Sequence, residues 1–140
     1  MSKNFGILSI GLIALLLACS FQFALAQEKI SDDKIRSIAT EEVSSILKGI
    51  DSKDYGQFSK GFSDQMKKAE TTEKFGVLVE KLDKGFGKLG SPEYIGFYNK
   101  GPSIITLFKA KSSRTNDDVV IKLVLVLKES GLKVAGLWFD

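Results

Sequence analysis

The sequence predicts an α+β domain in which N-terminal helices pack on a curved four-stranded antiparallel sheet. Three observations predict it. Residues 30–90 place apolar side chains at three- and four-residue steps, the spacing of helices buried along one stripe. Residues 93–139 hold four β-type runs rich in Val, Ile, Leu and aromatics. Only turns and one polar loop separate those runs, so consecutive strands are antiparallel neighbours.

Ahead of the domain, residues 1–26 carry Lys3, an apolar run over 5–18, and Phe21-Gln22-Phe23-Ala24-Leu25-Ala26 before Gln27-Glu28. A positive head, an apolar centre and a small-x-small ending describe a secretory signal peptide cut after Ala26. Two alternatives stay open. Leu16-Leu17-Ala18-Cys19 resembles the lipobox of bacterial lipoproteins, which makes Cys19 a candidate for lipidation. The apolar stretch 5–26 is also long enough to remain as an uncut anchor. All three readings imply export, periplasmic or secreted in the first case and membrane-anchored in the others. Residues 27–140 then form a single domain.

Size and composition narrow the functions. With 44% hydrophobic and 26% charged residues, the 140-residue chain reads as an ordinary globular protein. Its formal charge is +3, and removing Lys3 with the leader leaves 19 − 17 = +2. So small a surplus, scattered among acids, argues against a nucleic-acid partner. The chain has no histidine, and its one cysteine, Cys19, lies in the leader. The mature domain therefore forms no internal disulfide and lacks the commonest metal ligand and proton shuttle. No metal or cofactor is expected.

The first helix is predicted from Ser31, a cap ahead of Asp32 and Asp33, through a stripe of Ile35, Ile38, Ala39, Val43, Ile46, Leu47 and Ile50. Lys48 and Gly49 supply the expected ending. The Glu41-Glu42 pair is no catalytic dyad, because neighbours on a helix point about 100° apart. Asp51 is the expected cap of a short second helix bearing Tyr55 and Phe58, and Phe62 continues that apolar line before Ser63-Asp64 opens another turn. Thr71 and Thr72 are candidate caps of a longer helix with a stripe of Phe75, Leu78, Val79, Leu82, Phe86 and Leu89, ended by Gly90-Ser91-Pro92. Gly85, Gly87 and Gly90 match the dinucleotide-binding pattern GxGxxG. They stand at the end of a helix and not between a strand and a helix N-terminus, so the dipole points the wrong way for a phosphate.

The β-type runs cover residues 93–99, 103–111, 119–128 and 132–139. The third is the central one: Val119, Ile121, Leu123, Leu125 and Leu127 form a wholly apolar face, while Val120, Lys122, Val124, Val126 and Lys128 form a mixed one. In the second, Ile104, Thr106, Phe108 and Ala110 share a face. Gly96 and Gly136 mark bulges or bends in the outer strands. Asp117-Asp118 lacks ligand spacing and reads as a turn, not a calcium site.

Three segments carry a family resemblance: Asp51-Ser52-Lys53-Asp54-Tyr55-Gly56-Gln57-Phe58 after an amphipathic helix, Phe62-Ser63-Asp64-Gln65-Met66, and the ending Leu132-Lys133-Val134-Ala135-Gly136-Leu137-Trp138. With their order of elements they resemble the nuclear transport factor 2-like superfamily, a cystatin-like α+β cone, over residues 30–140. The resemblance implies a roll with a conical pocket between sheet and helices. Some members are isomerases or dehydratases that use Asp, His and Tyr; others bind ligands or dimerise through the outer sheet face.

The histidine of the dehydratase type is absent here. The expected function is therefore an exported, non-catalytic domain that binds a hydrophobic small molecule or a protein. Its candidate pocket residues are Tyr55, Phe58, Phe62, Phe75, Phe86, Phe108 and Trp138, against the plainer reading that these aromatics simply fill the core. The mixed face of the central strand is a candidate homodimer surface. Membrane association is expected only through a lipid on Cys19 or an uncut leader. The alternative is a proton-transfer enzyme of isomerase or dehydratase type, working through Tyr55, Tyr94 or Tyr98.

Overall fold

A computed structural model describes residues 29–140. The leader, its cleavage site and Cys19 lie outside the described residues. The folded unit, Asp32–Asp140, has four helices packed with one open antiparallel sheet. In chain order these are α1 (Asp32–Ser52), α2 (Tyr55–Ser59), α3 (Asp64–Ala69), α4 (Thr72–Gly85), β1 (Glu93–Lys100), β2 (Ser103–Lys111), β3 (Asp118–Lys128) and β4 (Gly131–Phe139). The sheet order is β1-β2-β3-β4, a meander, as the short connections require.

Helix α1 buries Ile35, Ala39, Val43 and Ile46, the stripe its spacing predicts. Its end differs from expectation. Gly49 does not stop the helix, which runs on to Ser52. Gly49 instead removes a side chain where α2 crosses: a Cβ there would lie 2.4 Å from the Phe58 backbone nitrogen. The terminator is Lys53, at φ 55°. The Asp54 N–H reaches back to the Gly49 carbonyl (2.8 Å) and the Lys53 N–H to the Ile50 carbonyl (3.2 Å). Those two bonds make a Schellman ending, with lysine in the left-handed position that glycine normally takes.

The cap of α2 is Asp54, not Asp51; its carboxylate accepts from the Gln57 N–H at 3.1 Å. Asp51 is still helical and pairs with Lys88 at 3.4 Å. Ser63 caps α3 and Thr71 caps α4, as their sequence positions suggest. Helix α4 ends earlier than Gly90. Gly87, at φ 66°, closes it by bonding back to the carbonyls of Leu82 and Asp83. A side chain at Gly87 would collide with Ser113, so this glycine serves both the turn and the close approach of the 112–114 loop. Leu89 lies beyond the helix and forms an isolated bridge with Ser112.

One face of the sheet carries the core. Val119, Ile121, Leu123 and Leu125 of β3 are buried, opposite Ala110, Phe108, Thr106 and Ile104 of β2 and, for Leu125, Val134 of β4. The Thr106 hydroxyl, fully buried, donates to the Leu123 carbonyl at 2.9 Å, so no polar group is stranded there. Leu127 departs from the rest of that apolar set. It sits near the β3–β4 turn and is 60% exposed. The outer edge of β4 is partly occupied: Val134 accepts from the Ser63 N–H and donates to the Gly61 carbonyl, both at 2.8 Å. A two-residue crossing of the chain thus blunts an edge that would otherwise invite pairing.

Both outer strands contain a bulge. In β1 the register jumps between Tyr94, opposite Phe108, and Gly96, opposite Leu107, leaving Ile95 unpaired. In β4 it jumps between Val134, opposite Leu125, and Gly136, opposite Val124, leaving Ala135 unpaired. One inserted residue reverses which face every following side chain takes. Beyond Ala135, Leu137 and Phe139 turn to the helical side, and Gly136 and Trp138 turn away from it.

Candidate functional site

Of the seven aromatics expected around a pocket, Phe62 alone borders either of the two cavities described below. Phe58, Phe62, Phe75 and Phe108 are buried core residues. Phe58 has its ring centroid 4.6 Å from Phe75 and 4.9 Å from Phe62, and Tyr55 stands 5.8 Å from Phe75. The Tyr55 hydroxyl donates to the Glu70 carbonyl at 2.7 Å, which ties the start of α2 to the end of α3. Phe86 caps α4, its carbonyl accepting from the Ser112 hydroxyl at 2.6 Å. These six hold the helical layer and the sheet's inner face together. Trp138 lies on the opposite side of the sheet from Phe108.

Cavities among the described residues include one by the helices and one by the sheet edge. One, of about 260 Å³, lies between the C-terminal half of α1 and α4. Leu47, Ile50, Val79, Leu82 and Leu89 give it aliphatic walls, and the Asp51–Lys88 pair stands at its rim. The other, of about 610 Å³, is an open depression beside the β3–β4 turn, bounded by Phe62, Ser63, Lys128 and Lys133 among others. Phe62 is the one predicted pocket residue that reaches either. No tyrosine lines them.

The three tyrosines considered for proton transfer are dispersed. Tyr55 is spent on a backbone carbonyl. Tyr94 faces inward, edge-on to Phe108 at 5.4 Å, with the Arg36 guanidinium 5.3 Å from its ring centroid. Burial pushes its phenol above the usual range, against the opposing effect of Arg36. Tyr98 stands on the outer face, 47% exposed. Among the described residues there is no group of three or more acids and cysteines able to hold a metal.

Glu42 is the carboxylate with a raised pKa. Burial is the main cause, and the Glu41 charge adds to it, while Lys133 and Lys60 pull the other way. Its carboxylate presses on Gly61, where any Cβ would overlap it. At the far corner of the sheet, a hydrogen bond from Lys111 holds the Asp118 carboxyl below its ordinary value. Lys109 bridges Glu93 at 3.6 Å and Asp118 at 3.9 Å.

The outer face of the sheet is the surface that stands out. Register places Ile105 and Leu107 of β2 beside Val124 and Lys122 of β3, and these beside Gly136 and Trp138 of β4. The indole lies down over Gly136, where a Cβ would come within 2.5 Å of its six-membered ring, and Trp138 stays 52% exposed. One side of the ring is therefore packed on the strand and the other is open to solvent. Tyr98 continues the apolar row through Ile105. Trp138 is expected among the pocket residues, and strict alternation from Leu132 and Val134 would carry it inward. The Ala135 bulge reverses that parity, and Gly136 was its only signal. The Ile95 bulge does the same for Tyr98.

No protein-family model and no curated protein matches this chain. Among the described residues, no helix is long and apolar enough to cross a membrane.

Proposed function

We propose that this protein is an exported, non-catalytic interaction domain of nuclear transport factor 2-like architecture, acting through the outer face of its sheet. The observation that carries the reading is the half-exposed indole of Trp138 laid open on a strand, in a patch completed by Tyr98, Leu107 and Val124 over the buried Ile105. Large aromatics left uncovered on a rigid sheet are what binding surfaces are made of. The leader pattern of residues 1–26 supports export, whichever of its three processing outcomes holds. The dispersal of the tyrosines, and the lack of one in either cavity, weighs against proton-transfer chemistry.

The test is site-specific photocross-linking in the native host. A benzophenone amino acid replaces Trp138 in one variant and the exposed Lys74 or Lys81 of α4 in others. Adducts to protein or lipid are expected from position 138 and not from α4. Adducts from α4 alone, or none from position 138, overturn the reading.

A second reading rests on the 260 Å³ cavity between α1 and α4, whose aliphatic walls are joined by Asp51, Lys53, Glu80, Asp83 and Lys88 and which could take a small amphipathic ligand. Native mass spectrometry of the exported protein tests it: a retained small molecule supports this reading, and a bare mass at the sequence value removes it.

A further inference from the structure

We infer that the outer sheet face docks flat against an anionic phospholipid bilayer. The inference rests on the reading of that face as the interaction surface and names what the surface meets.

The charge distribution is the first argument. Register puts six lysines on this face: Lys100, Lys109, Lys111, Lys122, Lys128 and Lys133. Three carboxylates share it, Glu93, Asp118 and Asp140, the last through its backbone pairing with Val120. From residue 29 onward the chain has 19 basic and 16 acidic side chains, so the remaining surface carries 19 − 6 = 13 against 16 − 3 = 13. The whole surplus of positive charge in the described chain lies on one side of one sheet.

That surplus is also sorted along the strands. Glu93, Asp118 and Asp140 all stand at one end, where Glu93 and Asp118 pair with Lys109 and Lys111. Further along come Trp138 and Lys122, then Tyr98 and Val124, then Lys100, Lys133 and finally Lys128. Within those rows the strands place four lysines and no acid on the outer face; Glu129 lies beyond them, in the turn. None of the four takes part in an ion pair within 4 Å among the described residues.

Aromatic and basic is the combination that an anionic lipid surface recognises. Indole and phenol rings favour the interfacial zone, where one end is apolar and the other wet. Lysines near a bilayer rich in acidic lipids gain from its surface potential. A second copy of the chain is the rival occupant: a two-fold axis along the strands brings lysines against lysines, and one across them sets the acid-bearing end against the lysines.

Trp138 is the chain's only tryptophan, so its fluorescence reads this face alone. The exported protein, purified as the cell processes it, is titrated with vesicles of phosphatidylcholine, either pure or mixed with phosphatidylglycerol. The expected result is a blue shift and gain in intensity with the mixed vesicles only, weakened by salt. Lys122→Gln and Lys133→Gln, each checked for unchanged circular dichroism, are expected to lower partitioning about fivefold apiece. An equal shift with neutral vesicles, or none with anionic ones, overturns the inference. So does a shift that follows protein concentration without lipid. That last result marks self-association through the same face and leaves the interaction-domain reading standing. A lipid anchor on Cys19 does not imitate the expected result, because it binds neutral and anionic vesicles alike without engaging Trp138.

Discussion

The contact between α1 and α2 depends on Gly49 having no side chain, and one substitution made at two sites measures that dependence. Gly49 is buried, and a Cβ built on it would lie 2.4 Å from the Phe58 nitrogen, 2.7 Å from its Cα and 2.9 Å from its Cβ. The first two are backbone atoms, so no rotamer change relieves the clash. Helix α2 must move by about 1 Å to restore an ordinary contact, and it carries Phe58, the centre of the aromatic cluster. Overpacking of this kind costs about 3 kcal/mol. Alanine returns about 1 kcal/mol through its better helix propensity, so Gly49→Ala is expected to destabilise by about 2 kcal/mol. Gly76 is the control. It also lies inside a helix, α4, yet a Cβ there meets nothing within 4 Å. Gly76→Ala is therefore expected to stabilise by about 0.5–1 kcal/mol. Urea unfolding followed by circular dichroism gives both values, and in a domain of this size each kcal/mol moves the melting midpoint by about 4 °C. Equal effects at the two sites would refute the argument, because propensity alone would then account for them.

Further outcomes follow from particular side chains. Lys53→Gly relieves a left-handed residue at the end of α1, and the gain exceeds the added freedom of the unfolded chain; thermal melts are expected to show about 0.5 kcal/mol of stabilisation. Phe58→Ala removes a ring 1% exposed with Phe75 and Phe62 against it, and equilibrium unfolding is expected to report a loss of about 3–5 kcal/mol. Glu42→Gln tests a pH dependence. Burial raises the folded-state pKa of Glu42 above its unfolded value, so the native state binds that proton more tightly and stability rises as pH falls through the raised value. Glutamine removes the cost of the buried charge, so the variant is expected to exceed the parent at neutral pH and to lose that advantage toward about pH 4. Paired denaturation curves across that range check the sign, and a gap that widens on acidification contradicts it. Asp118 runs the other way: its depressed pKa lends stability above the unfolded carboxylate value, lost as pH falls through the folded one.

The sheet was legible because its signals are local. Strand runs, turn residues and the period-two burial of Val119 to Leu125 all follow from neighbours in sequence, and each observed strand begins and ends within a residue of its predicted place. Helix boundaries were less so. Gly49 and Lys48 look like an ending when only the α1 sequence is considered, since the reason for glycine at 49 is α2 crossing from outside. Asp51 and Asp54 are equally good caps by residue type. The choice falls to Asp54 because Lys53 accepts a left-handed conformation, which sequence gives no reason to expect of lysine. The burial of Glu42 against Gly61 was hidden for a similar reason, because it depends on the 61–63 segment folding back to the edge of β4.

The candidate site was the least legible part, and the cause is arithmetic. Alternation along a strand assigns each residue to a face by counting from its neighbours, so one uncounted residue inverts everything after it. Ile95 and Ala135 are those residues. Without them Tyr98 would share a face with Tyr94, and Trp138 with Val134, and both rings would add to the core. With them, the two largest outward aromatics of the sheet stand among the lysines. Leu137 and Phe139, both half-buried, turn to the helical side in exchange. Gly136 shows that the inversion is accommodated locally: it leaves the space that the Trp138 ring occupies, and any side chain there would lift the indole from the strand. Two bulges and one glycine therefore act together to place aromatic surface where the charge surplus lies, which a sheet serving only as the wall of a core would not require.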